Sequence, residues 1–316
     1  MTARRANHLT VAFLLAQALG GQVAQAQKLI EIPKVERFRL ASKAVGDSFE
    51  IRVLMPPRIP GETTRFPVLY MTDVHNGFII DDDSMRLMMI SDIPRFIAVG
   101  IGYASTSSIM EGLLVRARDL THVAATAEVG GSFPIANMVK PSVATGGADK
   151  FLGFIRDELM PVIDARYPTD PKERGYWGDS LGGLFGTWVL FTSPATFNRY
   201  ILGSPSLWWA NEDVMKVAEK YLATHDDLPA TVFLGIGGLE EGGPTYKMST
   251  NMLRLERMLR AKKLPGLSLT SRVFPDESHT TVAPMNFIRG LVAVYGAPTP
   301  EQSLMGKYAA TMKSNQ

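Results

Sequence analysis

Three short apolar runs, Phe66–Met71, Phe96–Ile101 and Thr231–Ile236, show no alternation of polar and apolar side chains. Runs of this length without a polar face fit strands buried on both sides of a parallel sheet. Phe49–Leu54 behaves differently, alternating apolar and polar residues as a strand with one solvated face does. Gly46-Asp47 before it is a turn signal, and Phe38-Arg39-Leu40 lies just upstream, so an opening hairpin is expected. Helical spacing fills the gaps between runs. Phe151, Leu152, Ile155 and Leu159 recur on one face, with Pro161 expected to kink or restart that helix. Residues 246–263 carry Met248, Met252, Leu255 and Leu259 on one stripe, which reads as a core face. An antiparallel start followed by alternating strands and helices predicts an α/β fold with a mostly parallel central sheet flanked by helices. Residues 105–147 hold Gly130-Gly131, Pro134, Pro141 and Gly146-Gly147, and read as a loop-rich insertion, a lid or pocket wall within one domain.

The pattern tightens at Gly178-Asp179-Ser180-Leu181-Gly182-Gly183, which contains G-x-S-x-G at the end of an apolar strand candidate. Leu181 to Phe191 then continues as an apolar segment rich in small residues, as a buried helix does. A strand that turns sharply into a helix needs small residues on both sides of the turn. The turn itself lifts the Ser180 hydroxyl to the carboxyl edge of the sheet. The backbone N–H of Leu181 then points out of a helix N-terminus, where a developing oxyanion is stabilised.

An activated serine needs a base. His279, in Pro275-Asp-Glu-Ser-His-Thr280 after the strand Leu267–Phe274, stands where the order Ser, acid, His places it. His225 reads as a solvated helix end, His122 lies in the loop-rich insertion, and His75 follows an apolar strand and is a pocket-lining candidate. The acid is expected after a strand between Ser180 and His279, where Glu240 and Glu241 follow Gly237-Gly238. A second reading exists: Gly178-Asp-Ser-Leu181 spells the GDSL motif, and Asp276-Glu-Ser-His279 spells its D-x-x-H partner. That family carries its serine near the mature N-terminus, unlike this chain, yet the match keeps Asp276 as an alternative acid.

Composition adds compartment and partners. Arg4 and Arg5, the apolar run Leu9–Leu19 and Ala24-Gln-Ala26 form a signal-peptide pattern, so residues 1–26 are expected to be a cleaved leader and residues 27–316 an exported single domain. The apolar run is too short for a membrane anchor. Cleavage there removes two of 33 basic residues and none of 31 acidic ones, so charge gives no case for nucleic acid or an anionic membrane surface. With no cysteine, disulfides, a thiolate nucleophile and Cys-ligated metals are excluded. No His/Asp/Glu set has metal-ligand spacing, and no cofactor is implied. The export expectation places the chain in a periplasm or outside the cell.

Further segments carry a family resemblance: Pro67–Asp73, Arg118-Asp-Leu-Thr121, Gly146–Leu152, Glu158–Asp164, Ser204-Pro-Ser-Leu-Trp-Trp209 and Gly237-Gly-Leu-Glu240. With the Ser180 and His279 segments, the chain resembles the esterase D branch of the α/β-hydrolases, which includes periplasmic siderophore esterases. The resemblance covers nearly all of the mature chain. It implies Ser180 as nucleophile, His279 as base and Glu240 as acid. It also implies a second oxyanion donor from the loop after Asp73, where Val74 and His75 replace the usual glycine. His122 stands where a proline is often found. Ser206, Trp208 and Trp209 follow the next strand and are candidates for the pocket that holds a small-molecule ester. An acyltransferase using the same serine, or a non-catalytic binding protein on the same fold, remains a competing expectation.

Overall fold

The computed structural model describes residues 33–72, 82–104, 106, 109–124, 145–242 and 246–314. Its frame is one eight-stranded sheet in the order β1-β2-β4-β3-β5-β6-β7-β8. The strands are β1 (Glu36–Ser42), β2 (Asp47–Leu54), β3 (Phe66–Met71), β4 (Ile97–Tyr103), β5 (Thr169–Asp179), β6 (Arg199–Gly203), β7 (Ala230–Gly237) and β8 (Leu267–Phe274). β1 and β2 form the opening antiparallel hairpin, and β2 also pairs antiparallel with β4. Every later pairing is parallel. This is the mostly parallel sheet flanked by helices that the alternation of apolar runs and helical segments predicts, in the α/β-hydrolase form that the family resemblance implies.

Burial explains why the runs lack alternation. β4 is buried at every position and β7 at all but one, because helices cover both faces. One face carries α1 (Asp82–Ser91) and α8 (Val282–Tyr295), packed on Leu69, Met71, Trp177, Ile201 and Phe233. The other carries α2 (Ile109–Leu120), α3 (Ala148–Gly153), α4 (Met160–Arg166), α5 (Leu181–Thr192), α6 (Trp209–Thr224) and α7 (Met248–Lys262). A last helix, α9 (Leu304–Ser314), packs against α1. Among the described residues no helix is long and apolar enough to cross a membrane.

One expectation needs correction and another gains a detail. The start of the 105–147 stretch is not loop, because Ile109–Leu120 forms α2. That helix buries Arg116 and Asp119 alongside Ala117 and Leu120, so its inward face is not apolar and its period is hidden. Pro161 stands in the first turn of α4, where the α-helix restarts as expected. A π-helical stretch, Phe154–Leu159, joins α3 to α4, with Met160 N–H bonded to Ile155 O. The wider turn lets the chain pass Pro161, which has no N–H to give.

Sequential strands β3 and β4 lie on one side of the switch and β5 on the other, so the carboxyl ends of β3 and β5 flank the point where strand order reverses. Open α/β sheets bind their ligands at such points.

Candidate active site

β5 ends at Asp179 and α5 begins at Leu181, leaving Ser180 alone to make the turn with φ 59° and ψ −114°. That conformation is strained for a residue with a Cβ, and such strain persists only where the surroundings enforce it. The flanking glycines show how tight the turn is. A Cβ on Gly178 would lie 2.5 Å from the carbonyl carbon of Gly182, and one on Gly183 would lie 2.6 Å from Gly203 O. Backbone bonds then lock Ser180: its N–H donates to Gly203 O at 2.9 Å, and its carbonyl accepts from Leu184 at 3.0 Å and Ser206 at 3.1 Å. Its hydroxyl sits 3.4 Å from the Ser206 hydroxyl. Leu181 is the first residue of α5, and the first N–H groups of a helix have no acceptor inside it.

The loops after β7 and β8 bring an acid and an imidazole together at the same edge. Gly238 N–H donates to Phe274 O at 2.7 Å and Leu239 N–H to Glu277 O at 3.1 Å, tying one loop to the other. A Cβ on Gly238 would lie 2.5 Å from Pro275 O, so this approach requires glycine. The outcome is a 2.6 Å hydrogen bond between His279 Nδ1 and Glu240 Oε2. Glu240 Oε1 accepts from Gly237 N–H at 2.6 Å and from the Ser204 hydroxyl at 2.7 Å. Its carboxylate is therefore fully bonded, with the side chain only 1% exposed against 40% for His279.

With Nδ1–H donated to Glu240, the free lone pair of neutral His279 lies on Nε2. Burial works against the imidazolium, but the Glu240 hydrogen bond and then the charges of Asp179 and Glu240 outweigh it, so the pKa of His279 is raised above 6.5. Arg116 opposes that rise. Ser180 and His279 share no direct hydrogen bond in the structure. Such bonds commonly tighten only when substrate is bound.

The other expected residues fall as follows. Glu241 is turned away, accepting from Thr250 N–H at 3.0 Å and its hydroxyl at 2.9 Å. Asp276 is exposed to solvent. His122 is buried, stacked on Trp188 and 3.4 Å from Asp213, and burial lowers its pKa. His225 is exposed and stacks on Tyr221 with ring centres 4.0 Å apart. Trp208 and Trp209 are buried in the main core, Trp209 Nε1 donating to Val123 O at 3.0 Å and Trp208 meeting Tyr246 edge-on. Val74, His75 and residues 1–26 lie outside the described residues.

Sequence reasoning missed three side chains that support this edge. Ser204, at φ 39°, bonds Glu240, and Asn286 of α8 donates to Ser204 Oγ at 3.3 Å. Arg116 of α2 donates to the carbonyl of Asp179 at 3.2 Å. The signals were slight: a serine after the β6 glycine, an asparagine on an apolar helix, and an arginine in a stretch without a clear period.

Comparison with known proteins agrees with this architecture. The chain is 29% identical over 272 residues to the ferri-bacillibactin esterase BesA of Bacillus subtilis, covering 82% of this chain and 89% of that protein. It is 28% identical to the siderophore triacetylfusarinine C esterase of Aspergillus fumigatus, covering 84% and 94%. The crystal structure of the BES protein from Bacillus cereus superimposes with a TM-score of 0.68 at 26% identity, covering 83% of this chain and 96% of that one. Residues 42–268 match the family described as Putative esterase. With that match spanning more than half of its length, the chain belongs to this esterase family of the α/β-hydrolase type.

Proposed function

We propose that the protein is a serine esterase that hydrolyses a siderophore-type carboxylic ester through an acyl-enzyme on Ser180. The observation that carries this reading is the 2.6 Å Glu240–His279 hydrogen bond, held at the same sheet edge as the strained Ser180 turn. His279 Nε2 takes the proton of Ser180 Oγ as that oxygen bonds to the ester carbonyl carbon, and the carbonyl π pair moves onto oxygen. The oxyanion is met by Leu181 N–H at the start of α5 and by a second N–H from the segment containing Val74. The imidazolium is stabilised by Glu240 through its bond to Nδ1. The intermediate collapses as His279 gives the proton to the leaving alcohol. Water then attacks the acyl-enzyme with His279 again as base.

Ser206 stands beside the nucleophile and bonds its carbonyl through the backbone, so it helps hold the turn open. Trp208 and Trp209 serve by packing: they hold the β6 loop that carries Ser206. The siderophore class is supported by the names of the two relatives, a ferri-bacillibactin esterase and a siderophore triacetylfusarinine C esterase. Residues 1–26 are proposed as a cleaved leader that sends the enzyme out of the cytoplasm. N-terminal sequencing of the exported chain should then begin at Gln27, and a retained Met1 would remove that part of the reading.

The activity is tested with a fluorophosphonate probe and a substrate panel. The probe should label the wild type at Ser180 and leave Ser180→Ala unlabelled. Turnover should be highest on catecholate trilactones among a set that includes aryl acetates, feruloyl esters and acetylated sugars. Labelling at another serine would overturn the mechanism, and a preference for acetylated sugars would overturn the substrate class.

A further inference from the structure

Asp179, the residue between the elbow glycine and the nucleophile, is 1% exposed. It shares the sheet face of Trp177, under α8, and its carboxyl lies over Gly203, which has no side chain to displace it. Neither carboxyl oxygen has a well-formed hydrogen bond. The neighbouring Asn286 amide bonds the carboxyl only weakly and donates also to Ser204, which in turn donates to Glu240. A Cβ on Gly203 would lie 3.0 Å from Asn286 Nδ2, so Asp179 and Asn286 crowd the same glycine, and Asn286 leads through Ser204 to Glu240, the partner of His279. The charged or titratable groups facing Asp179 among the described residues are His279 after β8, Glu240 after β7 and Arg116 of α2. Arg116 is engaged at the Asp179 carbonyl.

An acid this buried and this poorly bonded is costly to keep, so its place beside the base calls for a use. We propose that Asp179 is a positioning residue for catalysis, a second carboxylate that acts through His279 and stabilises its imidazolium as Ser180 is deprotonated. This rests on the reading of Ser180 as nucleophile and His279 as base. The proton leaves Ser180 Oγ for His279 Nε2 as the Oγ–carbon bond forms. Asp179 takes no proton in that step and contributes only when it is ionised. Glu240 supplies orientation through a direct bond, whereas Asp179 supplies charge without one.

Burial pushes the Asp179 carboxyl up to about 7; the charge of His279 opposes that rise and Glu240 adds to it. The charge of each group bears on the proton of the other, so their titration steps belong to both groups.

The test compares the full-length mature wild type with Asp179→Asn on p-nitrophenyl acetate. In the wild type, kcat/KM should rise across neutral pH through two ionisations. In the variant a single ionisation should remain, moved about one pH unit toward acid, and the alkaline plateau should fall about tenfold, with KM little changed. An unchanged limb and plateau would overturn the role of Asp179. If the Asn variant does not fold, the wild type alone decides: the His279 Cε1–H resonance should titrate in two steps, and one step would overturn the proposal. Fluorophosphonate labelling of the wild type separates the two levels. An unlabelled Ser180 defeats the underlying mechanism, whereas a labelled Ser180 with an unchanged Asn-variant profile defeats the Asp179 assignment alone.

Discussion

Glu62 and Asp179 are both buried carboxyl groups, one near the amino edge of the sheet and one at the carboxyl edge. Glu62 receives both arms of Arg95, at 2.7 and 2.6 Å, with Lys307 3.6 Å away. Burial alone would raise its pKa, but the Arg95 and Thr64 hydrogen bonds carry it down to about 2. Asp179 lacks such partners and is pushed up to about 7. The amino edge continues in the same manner, with Arg174 on Asp164 and Arg199 on Glu173. The carboxyl edge instead holds Ser180 and Ser204 at positive φ. One edge is satisfied and serves the fold; the other keeps strain and a poorly bonded acid, which is expected where a site is pre-organised at some cost to stability.

The largest expected effect tests that division. Ser180→Ala should cut ester turnover on the order of 10⁶-fold, as loss of a nucleophile does. Its melting temperature should stay within about 2 °C of wild type, because the hydroxyl makes no bond that the fold depends on. A melting temperature lowered by about 10 °C would show that the elbow serves the fold as well, and would break the comparison.

Next is the acid. Glu240→Gln should lower kcat by about 10⁴-fold through loss of the correct imidazole tautomer. Asp276→Asn, at an exposed position, should stay within about twofold, since an unpaired surface acid touches no step. Steady-state kinetics on one aryl ester measure both. A larger loss at Asp276 would return the GDSL-like reading.

The pH limb comes third. Because Glu240 and Asp179 raise His279 above its ordinary value, the neutral base becomes available only above pH ~6.5, and kcat/KM should rise with pH through that region. His279→Ala should remove the limb with nearly all activity, while His225→Ala keeps both. A profile that falls through neutrality would mean the base lies elsewhere.

At the amino edge the expected loss is in stability alone. Glu62→Gln strands Arg95 in a buried position and should cost about 3 kcal/mol, with activity per folded molecule unchanged. The sign with pH follows from the depressed pKa. The Glu62 contribution is complete above the unfolded value of 4.5 and is lost as pH falls toward about 2. For Asp179 the sign reverses. Its raised pKa removes stability as pH climbs from 3.8 to about 7, so Asp179→Asn should melt about 2–4 °C above wild type at pH 8 and level with it near pH 4. Thermal melts at the two pH values decide both claims.

What could be read from the residues follows from the same contrast. β3, β4 and β7 were legible because helices bury both faces, and only uninterrupted apolar runs satisfy that. The elbow was legible because its glycines are steric necessities. α2 was not, since it buries Arg116 and Asp119 where the helical period calls for apolar side chains. The restart at Pro161 was legible from its missing N–H, but the π turn before it has no local signature. In Trp208-Trp209 the sequence gives composition but not direction, and the rings turn inward. Asp179 sat inside the motif as an unspecified position, and nothing short of three-dimensional burial distinguishes it.

β8 is the last strand at one margin of the sheet, hydrogen-bonded to β7 alone, and none of its residues is fully buried. The segment bearing His279 follows directly from it, whereas Ser180 hangs from the buried carboxyl half of β5. Free energies of local opening are lowest where few apolar contacts hold a segment. Fraying of this margin would carry the imidazole off while the serine stays in its turn. The protein would then pass through a native-like but silent state on warming, reversibly inactive below the temperature at which its core melts.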